Sequence, residues 1–389
     1  MTHPSLRAPK PGRILISLFF SLACFFPTTP CGSEQLMDSA DSLSLAKTSA
    51  FERVKNGFFP DALLAEEGAL KAAQDRFGPV HPSIVPYLND LATIDRYMAR
   101  FPEAEAALRW GLAIREKTLG PQDPLVADSL GQLAALYCDW GRFEDADYFG
   151  EKSLSIFRKQ GAPAAGRISG LLALLATIQW GLGNGIVERD LLRESLQLEQ
   201  KDLNTDPQVL IRTLHSLARA CLLIKGNNES QSLLQKAMDI ADEKFPPDSV
   251  QRADCLEDMA DLFISQGKTD QARPLYEKAL PIYQRFVGVY FGYSSLDYLK
   301  KLAKAYESVG KFKEAQNLFE KALPTLKENF GDSHPRVVVG LLDLAAADKA
   351  LGQTKEAKEC AKEALDILKK VFPAGHPLVK EAKNLSDKI

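Results

Sequence analysis

Apolar residues recur three and four positions apart over long stretches of the chain, the spacing that gathers them on one face of an α-helix. Between Pro124 and Trp140, for example, Leu130, Leu133, Ala134 and Tyr137 form such a face. Gly141 follows, and a second amphipathic stretch runs from about Glu144 to Lys159. A glycine at that joint can take a positive φ, which a tight turn between two helices needs. The pattern therefore predicts a helical hairpin.

The hairpin is written many times. A residue that is small throughout recurs as Ala69, Gly111, Ser153, Ser195, Ala237, Ala279, Ala322 and Ala364, at intervals of 42 residues with a single interval of 43 after Ala279. Seven positions before each stands Ala62, Ala104, Ala146, Glu188, Ser230, Ala272, Ala315 or Ala357. A separate series, Ala92, Ala134, Ala176, Ala218, Ala260, Ala303 and Ala345, each after Leu or Met, keeps the same period and the same slip. Small side chains at fixed points let two helices approach closely while Leu and Phe fill the flanks. Gly111 and Glu188 are the weak spots of this pattern. The fourth unit, "GLGNGIVERDLLRESLQLEQ", is the least regular and reads as a local packing defect. Between units lie "GPVHP", "GPQDP", "GDSHP" and "AGHP", whose prolines stand where a helix is about to begin and a missing N–H costs nothing.

One hairpin cannot bury its apolar face alone, and stacked hairpins can. The expected fold is all-α, a right-handed superhelical solenoid of stacked antiparallel helix hairpins. The expected organisation is an export segment over 1–33, a degenerate helix and linker over 34–56, about eight units over 57–375, and a capping helix over 376–389.

The first residues break the pattern. Arg7, Lys10 and Arg13 precede an apolar run from Ile14 to Phe26, followed by Pro27 and small residues. A basic start, a short apolar middle and a small-residue exit have the form of a signal peptide, with a retained anchor or lipidation at Cys24 as alternatives. This segment places the protein outside the cytoplasm: periplasmic, secreted or envelope-associated.

Composition excludes more than it assigns. The 389 residues carry a net charge of -3, so no basic surplus points to nucleic acid. Cys138, Cys221, Cys255 and Cys360 form no metal-ligand spacing. His81, His334 and His376 each precede proline at one loop position of the repeat, a structural period rather than a ligand set. No metalloprotease, nucleophile-elbow, phosphate-loop or dinucleotide motif is present. The chain is expected to be no enzyme and to need no metal or cofactor.

A unit with "LA", a terminal Gly, "EA" and "KAL" resembles the tetratricopeptide repeat. The 42-residue period and the "G..HP.V" joint are similar to the kinesin light chain subclass, here in an exported, bacterial-type context rather than a motor subunit. That resemblance implies a concave surface lined by the first helices, with asparagines in "LNNLA" holding a peptide backbone through an amide that both donates and accepts. Here Asn89 matches the first asparagine and Asp90 replaces the second. Elsewhere the pair reads Gly131 and Gln132, Ala173 and Leu174, His215 and Ser216, Glu257 and Asp258, Lys300 and Lys301, Leu342 and Asp343. The candidate contacts are Asn89, Asp90, Gln132, His215, Glu257, Asp258, Lys300 and Lys301. They form an acidic and a basic patch that suit one protein or peptide partner of mixed charge, bound by a monomeric scaffold. The alternative is a membrane-tethered lipoprotein acting as an assembly factor for envelope or secretion machinery. An enzyme built on the repeats and a self-assembling array are the readings from other classes.

Overall fold

The computed structural model describes residues 59–161, 164–224, 226–289, 295–373 and 376–387. The export segment, its candidate lipidation site Cys24 and the expected linker fall outside the described residues. All described regular elements are helical. They run α1 (Phe59–Phe77), α2 (Val85–Tyr97, after a short 3-10 turn at Pro82–Ile84), α3 (Phe101–Leu119), α4 (Pro124–Asp139), α5 (Phe143–Gln160), α6 (Ala165–Gly181), α7 (Gly185–Lys201) and α8 (Pro207–Leu223). They continue as α9 (Asn227–Lys244), α10 (Val250–Ser265), α11 (Thr269–Val289), α12 (Ser295–Ser308), α13 (Phe312–Phe330), α14 (Pro335–Ala350), α15 (Thr354–Val371) and α16 (Pro377–Ser386). Even-numbered helices are the first of each pair and odd-numbered the second. Each packs chiefly on its neighbours in sequence, which makes the chain a solenoid of stacked hairpins.

Both small-residue series lie where the backbones meet. Ala134, Ala146, Ala260 and Ala357 are fully buried, and Ser153 fits the same slot by donating its hydroxyl to the carbonyl of Ala127 at 2.7 Å. Ser195 does likewise through Ser169 and Glu199; the Glu199 carboxylate accepts from the hydroxyls of Ser169 (2.6 Å), Ser195 (3.1 Å) and Thr213 (3.0 Å). These bonds satisfy Oε1 of the buried carboxylate, while its Oε2 has no hydrogen-bond partner among the described residues. The weak spot Gly111 is a tight crossing, since a Cβ there would come within 3.1 Å of Val85 Cγ1.

The periodic histidines have a structural task. The imidazole Nδ1 of His81, His334 and His376 accepts the backbone N–H two residues on, at 3.2, 3.1 and 3.2 Å, and Asp123 and Asp206 do the same with carboxylate oxygens. Each is an N-cap for the helix that its proline opens, satisfying a donor that lacks an intrahelical partner.

One relation has no counterpart in the repeat pattern. The loop before α14 and the loop before α16 lie against the first hairpins. His334 Nε2 bonds the carbonyl of Tyr97, Phe372 packs on Phe101 with ring centroids 6.0 Å apart, and the His376 ring covers Gly141. Beneath this seam Arg336 is 1% exposed, and Asp139 pairs with Arg96 at 3.1 Å. Burial lifts the Asp139 carboxyl to about 6, with Arg96 and Arg336 pulling it back down. The main core accordingly joins residues from Leu70 to Ile178 with residues from Leu326 to Ala382, while the middle units keep smaller cores of their own. The array curves until units near its two ends touch.

Candidate functional site

The candidate residues fall on the first helices, one pair per unit, and a third position four residues beyond the first completes each stripe on the same helix face. The stripe reads Asn89, Asp90 and Thr93 on α2; Gly131, Gln132 and Ala135 on α4; Ala173, Leu174 and Thr177 on α6; His215, Ser216 and Arg219 on α8; Glu257, Asp258 and Asp261 on α10. On α12 the positions are Lys300, Lys301 and Lys304; the side chains of Lys300 and Lys301 lie outside what the structure describes.

Asn89 and Asp90 are half-buried near the α2–α3 crossing, where Asn89 Oδ1 would stand 3.7 Å from a Cβ on Gly111. Gln132 is half-buried, and its Oε1 has no hydrogen-bond partner among the described residues. From α8 onward the stripe is bridged between units. His215 Nδ1 sits 2.8 Å from Asp258 Oδ2, and its Nε2 is 3.3 Å from Cys255 Sγ. Burial pushes the imidazole pKa down, but the Asp258 carboxylate more than offsets this and carries it to about 10. His215 is therefore a cation at neutral pH.

Glu257 is buried, and it accepts from Lys304 Nζ at 2.9 Å and from the Tyr283 hydroxyl at 2.9 Å. Asp261, one turn along, bonds the same ammonium and the Tyr276 hydroxyl. Burial alone would lower the Lys304 pKa; the carboxylates of Asp261 and Glu257 outweigh it and hold the ammonium charged. The sequence reading found Glu257 and missed its counter-ion. The signal was there: Lys304 stands 43 residues after Asp261, the interval this part of the array uses for equivalent positions.

The stripe is bridged from α8 to α10 and from α10 to α12. Between α6 and α8 a cleft opens instead, lined by Ala173, Ala176, Thr177 and Trp180, by Glu188 and Leu192 of α7, and by Thr213, Ser216 and Arg219. No group of three or more His, Cys, Asp or Glu side chains among the described residues could hold a metal ion.

The tetratricopeptide repeat profile matches residues 111–159, 210–285 and 295–370, more than half of the chain, and a second profile of the same name matches 87–125. The chain belongs to the tetratricopeptide repeat family. This tetratricopeptide repeat protein is similar in fold to the kinesin light chain TPR-like repeats of Podosopora anserina, with 23% identity over 53% of this chain and 97% of that one, at a TM-score of 0.40. It is similar to NprR in complex with its cognate peptide NprX, with 18% identity over 74% and 79% of the two chains and a TM-score of 0.49. A third is Rap protein complexed with Competence and Sporulation Factor, with 10% identity over 90% and 96% and a TM-score of 0.44. No curated protein matches the sequence.

The expectation of a periplasmic, secreted or envelope-associated protein is corrected. It rested on the charge and hydropathy of the first 33 residues alone, which fall outside the described residues. No helix among the described residues is long and apolar enough to cross a membrane.

Proposed function

We propose that the chain is a non-enzymatic scaffold of the kinesin light chain-like type that binds a protein or peptide partner along the first-helix stripe. The observation that carries the reading is the make-up of the described chain: every described helix belongs to the repeat, and its polar side chains are arranged as caps, inter-unit bridges and a cleft between α6 and α8. Repeat arrays present extended surfaces of this kind to partners. Asn89, Asp90 and Gln132, half-buried on the stripe, are assigned to partner contact, together with Asp258, which is half-buried and also bridged to His215. Glu257 and His215 contribute by holding neighbouring first helices in register.

The reading is tested by photo-crosslinking in cells. A crosslinking residue is placed at Asn89 or Gln132 on the stripe, or at Trp110 or Tyr148 on the exposed face of the second helices. The scaffold reading expects one discrete protein or peptide adduct from the stripe positions and none from the outer ones. Adducts from Trp110 and Tyr148 alone would move binding to the other face, and no adduct from any position would overturn the scaffold.

A further inference from the structure

Glu188 occupies the position at which neighbouring second helices carry Ala104, Ala146, Ser230 and Ala272. A carboxylate at a helix crossing has to leave the contact. In α7 it does so into the cleft between α6 and α8. The residue is only 6% exposed, and its Oε2 is buried with no hydrogen-bond partner. Across the cleft, the Nε of Arg219 is likewise buried with no partner. Burial raises the Glu188 carboxyl to about 7, and Arg219 is the one charged group that pulls it back. The two feel each other's charge without bonding to each other.

A buried acceptor and a buried donor therefore line one cleft, both unmatched. Each such group is costly to leave without a hydrogen-bond partner. Native structures leave few of them without a water, an ion or a ligand.

We infer that this cleft binds a carboxamide, the side chain of an asparagine or glutamine in the partner. The amide N–H donates to Glu188 and the amide oxygen accepts from Arg219 Nε, so one neutral group answers both. Trp180, Ala173 and Leu192 give apolar walls for the methylenes that carry it. An ammonium would satisfy Glu188 but stand beside the Arg219 guanidinium and leave its Nε unmatched. A carboxylate would do the reverse. A wholly apolar side chain would bury both polar atoms more deeply and match neither. The inference rests on the scaffold reading and names the side-chain class that the fourth unit selects.

The test needs no knowledge of the partner. The full chain is titrated with N-acetyl-glutamine methylamide, and with the glutamate, lysine and norleucine analogues, by saturation-transfer NMR. These probes share their backbone amides and differ only in the side chain. The glutamine probe is expected to bind about fivefold or more tighter than the others, the preference of a site built to hydrogen-bond an amide. Glu188→Ala restores the residue of the neighbouring units and so keeps the fold, which its unfolding midpoint verifies; it is expected to weaken the glutamine probe about tenfold. Glu188→Gln, which still accepts, is expected to bind it within about threefold of wild type. Absent or non-saturable binding of the glutamine probe, equal binding of all four, or a preference for lysine or glutamate overturns the assignment. So does an unchanged affinity in Glu188→Ala, which would mean that water alone fills the cleft. Stripe crosslinks that persist in Glu188→Ala at wild-type yield, alongside a failed titration, would sink the carboxamide site and leave the scaffold standing.

Discussion

The imidazole Nε2 of His334 lies 2.7 Å from the carbonyl oxygen of Tyr97, a bond spanning 237 residues of sequence. The tautomer follows from the other side of the ring. Nδ1 accepts the Arg336 N–H at 3.1 Å, so Nε2 carries the proton and donates it to Tyr97. One neutral imidazole caps α14 and ties it to the first hairpin. A charged one could not do both, because its Nδ1 would carry a proton towards a donor.

That geometry sets a pH dependence. Burial lowers the His334 pKa to about 3, the Tyr97 carbonyl works against this, and Arg336 adds to it. Burial likewise lowers His376 to about 3, helped by Lys380. A histidine whose folded pKa lies below its unfolded value contributes stability that is fully present above pH 6.5. That stability is lost progressively as pH falls towards 3, by about 2 kcal/mol per histidine at pH 5. His334→Asn keeps a side chain able to cap the helix and removes the titration. Urea unfolding at pH 7.5 and pH 5 should show the wild type losing more stability than the variant; equal losses would mean that His334 is not buried at the seam.

Gly141 and Gly267 separate the seam from the turn. Both have positive φ, +74° and +75°, but a Cβ on Gly141 would stand 2.2 Å from His376 Cδ2, whereas nothing lies within 4 Å of one on Gly267. Gly267→Ala should cost only the left-handed conformation, about 1–2 kcal/mol. Gly141→Ala should cost about 1–3 kcal/mol more, because the ring must move out of a packed core. Matching urea midpoints for the two variants would remove His376 from its place over the turn.

The first hairpin lacks this glycine. Ala99 stands in the Gly141 position and takes a φ of +56°. Ala99→Gly relieves a strain of about 1–2 kcal/mol and gives back about 0.4–1 kcal/mol through a freer unfolded chain. A net gain of about 0.5–1 kcal/mol is expected, read as a higher unfolding midpoint; a lower one would refute the strained turn.

Lys304 bonds both Glu257 and Asp261. Lys304→Met leaves two carboxylates facing each other and should destabilise by about 2–3 kcal/mol, the low end for breaking a buried pair because the lysine side chain is a third exposed. Adding Glu257→Gln and Asp261→Asn should recover about half of that, since the loss comes from uncompensated charge. A triple variant less stable than Lys304→Met would contradict this account.

The sequence announces whatever repeats. The helix pairs, the close-packed Ala134 and Ala146, and the turn at Gly141 all follow from periodic small and apolar residues. The seam is silent because Tyr97 and His334 share no register; only curvature accumulated over many units brings them together. Glu257 reads in the sequence as part of an acidic contact patch because its partner, Lys304, lies on another helix. Glu188 was visible as a departure from the pattern, and its reading as a packing defect missed what a displaced carboxylate does. It opens a cleft with Arg219, and that pairing requires knowing how α7 crosses α6 and α8.

An open stack of hairpins behaves like a spring with two loose tips, which fray first and absorb distortion locally. The Tyr97–His334 seam removes that freedom. A change of pitch anywhere along the array has to be shared by every unit or break the closure, so a guest that spreads α6 from α8 would be felt at α14, on the far side of the molecule.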